Sequence, residues 1–356
     1  MKTLLLIGTR KGGFVAESDA ARSTWTLRGP LLKGCEVNHV AHVGDHRLVI
    51  AGKSSWWGPA LQFSDDGGET WTDAPGVIKF DEGRGHAVDR IWFVKADPRT
   101  RGRLYAGVDP GALFVSDDGG GQWREMQALT DHPTRAKWFP GGGGLMVHSI
   151  VFDPTRPSRL TVGVSAAGVF RSEDNGESWT SSNTGLLADF LPEKFPEVGQ
   201  CVHHMEMHPQ RPDVIYQQNH CGVYRSDNAG DSWTDISEGL PSRFGFPFAV
   251  LPRDGDTIFV VPEEGSAARV TSGGRFGIYR SRNRGQSWEL LTSGLPQSDA
   301  YLNVMRMAMT ADAHESPGVY VGTQGGQILA SLDGGDRWET LFNWLPPIYS
   351  LETAIV

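Results

Sequence analysis

Ser64-Asp65-Asp66-Gly67-Gly68-Glu69-Thr70-Trp71 follows directly on a strand-like apolar run, Ala60 to Phe63. Read as Ser-x-Asp-x-Gly-x-Thr-Trp, it describes a self-bonded turn. The serine and aspartate side chains can bond the turn's own amides, and the glycine accepts a positive φ. The closing tryptophan suits a gap on the flank of a sheet. The pattern returns at Ser116 to Trp123, Ser172 to Trp179, Ser226 to Trp233, Ser281 to Trp288 and Ser331 to Trp338. A degenerate copy ends at Trp25, where Ser18 and Asp19 stand roughly in place with one extra residue. Asn228 and Asn283 replace the aspartate in two copies, which should weaken a turn without removing a sheet.

The tryptophans at 25, 71, 123, 179, 233, 288 and 338 are separated by 46, 52, 56, 54, 55 and 50 residues. Repeats of this length indicate propeller blades. The fold expected is all-β, a single seven-bladed β-propeller of four-stranded blades spanning residues 1–356. Its blades are placed at 348–356 plus 1–28, 35–74, 86–126, 145–182, 200–236, 245–291 and 301–341. The first blade opens on a second-type strand, Thr3 to Ile7, and lacks an inner one. The C-terminal segment Ile348 to Ala354 matches the missing strand and would close the ring.

The composition, with 45 Gly, 12 Trp and 39% hydrophobic residues, fits many short strands joined by glycine turns. A formal net charge of −9 argues against nucleic acid as a partner, and no apolar segment is long enough for a membrane helix. The apolar run in Met1 to Gly8 is too short for the core of a signal peptide, so a cytoplasmic location is expected. Cys35, Cys201 and Cys221 are an odd and sparse set that cannot serve as a disulfide framework, although a Cys201 to Cys221 bond stays open.

The repeated box resembles the Asp-box, or bacterial neuraminidase repeat, of sialidases, sortilin-type receptors, xyloglucan-active cellobiohydrolases and photosystem II assembly factors. The resemblance implies a glycosyl hydrolase-like propeller with its boxes between the third and fourth strands, away from the ligand face. The stretch Leu104 to Phe114 is similar to the loop that carries a catalytic aspartate in the xyloglucan-active enzymes, as is Gly141-Gly142-Gly143-Gly144 before an inner strand. Asp109 is therefore the first catalytic candidate, the other reading being an aspartate that bonds its own turn before Pro110. Those enzymes pair two propellers, so in a single ring a second carboxylate must come from the same face, with Glu352 taken first and Glu206 or Glu263 after it. Arg10, Arg90 and Arg306 could form a sialidase-like arginine cluster, with Tyr349 or Tyr301 as its tyrosine. The start carries no Arg-Ile-Pro motif and seven blades differ from the sialidase six, which argues against a true sialidase.

The ligand face is expected where the inner strands begin. Arg10, Lys53, Trp56, Trp57, Arg90, His148, His203, His220 and Arg306 are the candidate ligand-binding residues there. Trp56 and Trp57 could stack on sugar rings or pack between blades. Cys201-Val202-His203-His204-Met205-Glu206 and His220-Cys221 should meet at one blade. There His148, His203 and His220 could hold a metal, hydrogen-bond a polar ligand or be structural; no other cofactor is called for. Strand alternation would send His203 and His204 to opposite faces, leaving at most one in the channel. Three functions follow. The first is a glycoside hydrolase-like protein binding a polar, carbohydrate-like ligand. The second is a non-catalytic scaffold for a peptide or protein, and the third a histidine- or metal-dependent enzyme acting on a small metabolite.

Overall fold

The computed structural model describes residues 2–356. Its regular structure is almost entirely antiparallel strand. Five sheets have four strands each, and one has eight. The sheet of Val202–Met207, Ile215–Asn219, Gly222–Ser226 and Thr234–Asp235 is representative: a simple meander from the centre outward. The outermost strand has two residues and a partner on one side only. Second strands such as Leu104–Asp109 and Val319–Thr323 are nearly or fully buried, since both faces are covered by neighbouring sheets.

The eight-stranded sheet consists of two such meanders. In one, Val304–Ala311 leads out to Glu339–Phe342; in the other, Ile348–Ile355 leads through Lys2–Thr9 and Gly12–Asp19 to Thr26–Leu31. A single parallel pair, Met307 with Ser350, connects the two. The C-terminal strand lies antiparallel to the N-terminal one, from Thr3 opposite Ile355 to Thr9 opposite Ile348. The inner strands Glu36–Gly44, Arg90–Ala96, Met146–Phe152, Val202–Met207, Gly245–Leu251, Val304–Ala311 and Ile348–Ile355 touch one another in turn, and the last touches the first. No helix among the described residues is long and apolar enough to cross a membrane.

The box turns owe their shape to local bonds. Ser64 Oγ donates to Asp66 Oδ1 at 2.7 Å and accepts from the Gly68 amide at 2.7 Å. Asp66 also accepts from the Glu69 and Thr70 amides and from the Thr70 hydroxyl, and that hydroxyl leads the bonds holding its carboxyl well below the usual range. Asn228 keeps the pattern with one polarity reversed. Its Oδ1 accepts from Ser226 and from the Ser232 amide, while its Nδ2 donates to Ser232 Oγ at 2.9 Å. In the degenerate first box, Arg22 at φ 56° stands where the others have glycine, and its carbonyl accepts from Trp25 Nε1 at 3.1 Å.

Because the strands alternate in direction, these turns lie at the end where the inner strands finish. The ends where they begin are left to loops. One such loop contains the short helix Gln127–Thr130 and the turn Arg135–Lys137; its Trp138 is buried against Phe170 and His132 and belongs to the core.

Candidate functional site

All seven inner strands share an irregularity near their start. Register slips between Val37 and His39, Ile91 and Phe93, Val147 and Ser149, Val202 and His204, Gly245 and Phe248, Val304 and Met309, and Ile348 and Ser350. A bulge lets consecutive residues turn toward the same side. Its consequence is a channel with two cavities stacked along it, of about 570 Å³ where the inner strands begin and about 530 Å³ where they end, with Met307 bordering both. Asn38, Trp92 and His203 face the first cavity, and the residues next to them, His39, Phe93 and His204, face the second. The alternation argument therefore fails at His203 and His204. Both line the channel, at different depths.

The first cavity is walled by aromatic rings and arginines. His203 stacks on Phe246 with ring centroids 4.5 Å apart, while Phe244 and His220 meet it edge-on. Phe190, from the long loop after Asn183, closes over His220 at 5.0 Å. Arg90, Arg269 and Arg306 supply the charge, and no aspartate or glutamate is among the lining side chains. Arg306 is 6% exposed, lies over the Phe246 ring at 5.0 Å, and has an Nε without a partner. Burial and, second, the Arg306 charge hold His203 well below its usual pKa, so its ring is neutral at pH 7. His203 Nδ1 donates to the Gly245 carbonyl at 2.6 Å, which leaves Nε2 as an acceptor.

Asp109 stands at the edge of this cavity. It pairs in register with Arg90, and its carboxylate packs against the Gly141 to Gly144 turn so tightly that a Cβ at Gly144 would come within 2.2 Å of Oδ2. With φ at +114° as well, position 144 admits glycine for two independent reasons. Burial pushes Asp109 up to about 6, Arg90 pulls against that, and the negative charge of Asp89 adds to it. Asp89 was not foreseen from the sequence. It is exposed, lies 2.6 Å from Lys53 Nζ and 3.6 Å from Arg90 Nε, and its amide donates to the Asp109 carbonyl. Its position directly before the first residue of an inner strand was the available signal.

Several expected residues lie elsewhere. Glu352 is in the second cavity, where it accepts from the His42 amide at 2.9 Å and faces His39 Nε2 at 3.2 Å. Tyr349 opens into the first cavity; Glu352, three residues further along the same strand, is about 10 Å deeper and cannot act with Asp109. Glu206 is also in the second cavity, paired with His204 at 3.1 Å. His148 is buried at the second cavity rather than the first, with Nε2 donating to the Val202 carbonyl and Nδ1 accepting from Ser149. The group that the fold does assemble is Cys201, His203 and His220, whose donor atoms lie within 4.8 Å of one another. Burial pushes the Cys201 thiol up, and the positive charge of Arg306 pulls against that. All three cysteines are free thiols. Trp56 and Trp57 are exposed at 89% and 71%, neither packed between sheets nor part of the cavity; Arg10 is exposed and Lys53 half-buried, both outside it.

Glu263 lies behind the cavity, fully buried, with Oε1 accepting from the Val304 amide at 3.3 Å and Oε2 without a partner. Burial pushes it from 4.5 up to about 7. The folded chain therefore binds more protons between those values, and this residue's contribution to stability falls as pH rises from about 4.5 to about 7. Glu263→Gln is expected to be more stable than the parent at pH 8, by up to ~3 kcal/mol, and to lose that advantage at pH 4. Urea unfolding at the two pH values measures this, and a variant less stable at pH 8 contradicts it.

Box turns at one end, sheets meandering outward from a central channel and a lined cavity at the other end define an Asp-box β-propeller. Residues 62–73 match the BNR/Asp-box repeat family. The oligoxyloglucan-reducing end-specific xyloglucanase of Emericella nidulans is 25% identical over 210 residues, covering 52% of this chain and 25% of that protein. Among solved structures, an ancestral GH74 enzyme superposes with a TM-score of 0.57 at 18% identity, over 89% of this chain and 38% of that one. YCF48 bound to a D1 peptide superposes with a TM-score of 0.55 at 16% identity, over 92% and 86%. The chain spans about a quarter of the length of the curated relative quoted above. Its box is similar to the BNR/Asp-box repeat, and its fold is similar to that of these propellers.

Proposed function

We propose that this protein is a seven-bladed, single-domain propeller, counting the eight-stranded sheet as two blades, and that it binds a carbohydrate-like ligand in the cavity where the inner strands begin. The observation that carries the reading is the pair of carboxylates flanking Arg90 at the cavity edge. Asp109, raised to about 6, has the character of a proton donor, while Asp89 is exposed and paired with Lys53. Carboxylates in contrasting environments are what glycoside hydrolysis requires. Asp109 would protonate the leaving oxygen and Asp89 would act as its ionised partner. The aromatic wall of Phe244, Phe246 and Trp92 suits the apolar faces of sugar rings.

The test is turnover on a panel of aryl glycosides and xyloglucan oligosaccharides. Asp109→Asn should lower turnover roughly 100-fold to 10,000-fold while melting normally. Parent activity should fall as pH rises through about 6, because the donor is then deprotonated. No turnover on any sugar would leave binding without chemistry as the function. If a peptide were then captured in an Arg90-dependent way, the protein would be a scaffold.

A further inference from the structure

Arg306 sits 6% exposed on the inner strand Val304–Ala311 and faces the first cavity. Its Nε has no partner, and no ion pair or hydrogen bond to another described residue involves its guanidinium. The titratable neighbours that act on it are the Cys201 thiol and the Arg269 guanidinium, and the second of these is charged and repulsive. Burial holds Cys201 as a neutral thiol, His148 and His203 are neutral, and Glu263 is behind the wall with its bonded oxygen on the Val304 amide. A buried guanidinium keeps its proton, so the charge stays and has no counterion inside the fold. Leaving such a group unpaired is costly, and only its stacking on Phe246 offsets part of that cost.

The surroundings reinforce the field. Arg269 also lies over Phe246, at 5.7 Å, from the exposed loop beyond Glu263; its Nε donates to Ser266, and no carboxylate pairs with it. Arg90 reaches the same cavity from the opposite wall, held loosely by Asp89 at 3.6 Å. The Gly141 to Gly143 turn lies close to both Arg269 and Arg306. A Cβ at Gly142 would fall 2.7 Å from an Arg269 terminal nitrogen, and one at Gly143 would be 3.7 Å from an Arg306 nitrogen. Bare backbone here leaves the guanidinium forks facing open space.

We infer that the ligand carries a carboxylate, which docks on Arg306 with Arg269 beside it, so that the saccharide bound in this cavity is an acidic one of the uronate class. A planar carboxylate matches the bidentate fork of a guanidinium, and the flat face of a sugar ring matches Phe244 and Phe246 beside it. The inference rests on the carbohydrate reading above and sharpens it from a polar sugar to an anionic one.

Calorimetric titration of the full-length protein with digalacturonate, its methyl ester and cellobiose, together with benzoate as a carboxylate that is not a sugar, separates the two claims. The free acid should bind at least tenfold more tightly than the ester, and Arg306→Gln should weaken the acid roughly tenfold to a hundredfold while leaving the ester unchanged. Arg306→Lys should recover part of that loss. Because the acid-to-ester comparison uses the unmodified protein, it stands even if the Arg306 variants fold poorly, and Arg269→Ala, at an exposed position, gives a second variant. Equal affinity for acid and ester overturns the inference and leaves a neutral saccharide site. Benzoate binding that depends on Arg306, with no binding of either sugar, upholds the anion site and overturns the carbohydrate reading.

Discussion

Removing residues 348–356 is expected to leave no cooperatively folded monomer. The lost strand supplies the whole partner edge of Lys2–Thr9, from Thr3 to Thr9, and contributes the buried Ile348 and Leu351 to the core. Each fully buried Leu or Ile side chain is worth about 1.5–3 kcal/mol. The deletion takes away two of them and uncovers part of Leu4, Leu5, Leu6 and Ile7, all at most 1% exposed in the intact ring. The sum is of order 10 kcal/mol, comparable with the entire stability of an ordinary domain, about 5–15 kcal/mol. The exposed edge would also invite pairing between chains. Circular dichroism during thermal unfolding of the truncated protein should show no sharp transition, and a synthetic peptide of residues 346–356 added in trans should restore one. A truncated chain that melts within a few degrees of the intact protein would contradict this account of closure.

The second large effect is expected at Asp312. Arg22, in the degenerate first box, extends its guanidinium to Asp312 in the last repeat, with Nη1 at 3.1 and 2.8 Å from the two carboxylate oxygens. The pair is buried, with side-chain exposures of 8% and 0%. Asp312 also accepts from Tyr320 Oη at 2.8 Å and from the His314 and Gly318 amides at 3.1 and 3.0 Å. Asp312→Ala removes five acceptor contacts and strands a buried cation, which typically costs about 3–5 kcal/mol. Replacing both partners, Arg22→Met with Asp312→Leu, should cost less than the single change, because no unpaired charge remains. Chemical denaturation of both variants measures the difference. An Asp312→Ala variant within about 1 kcal/mol of the parent would show that the latch contributes little.

The latch also shows how far the sequence could be read. The box at Ser18 to Trp25 was recognisable as degenerate from its extra residue, but nothing in its spacing says that Arg22 fills the glycine's place with positive φ and sends its side chain to the final repeat. That contact spans 290 positions and exists only once the ring is closed. The repeated boxes and closing strand were legible because they depend on local bonds and on short apolar runs. The site was less so. Arg90, His203, His220 and Arg306 line one cavity because each falls at a strand start or in the loop opposite it. Glu352 and His148 were misplaced because bulges and depth along an inner strand decide which cavity a side chain meets, and neither has a sequence signature. Arg269 and Phe246 were missed for a related reason. One is in an irregular loop, and the other is turned inward by a bulge.

The clearest division in the molecule is between the two cavities. One holds unpaired guanidinium groups and aromatic rings, with Asp109 at its edge; the other holds His39 with Glu352 and His204 with Glu206, each carboxylate beside a histidine of the protein itself. The first cavity, away from the Asp boxes, is therefore the proposed ligand site. A crystal soaked with digalacturonate tests this most directly. The expected result is density between Phe246 and the Gly141 to Gly144 turn, with a carboxylate against Arg306 and the glycosidic oxygen toward Asp109. Density confined to the cavity around Glu206 and Glu352, or on the box face, would contradict it.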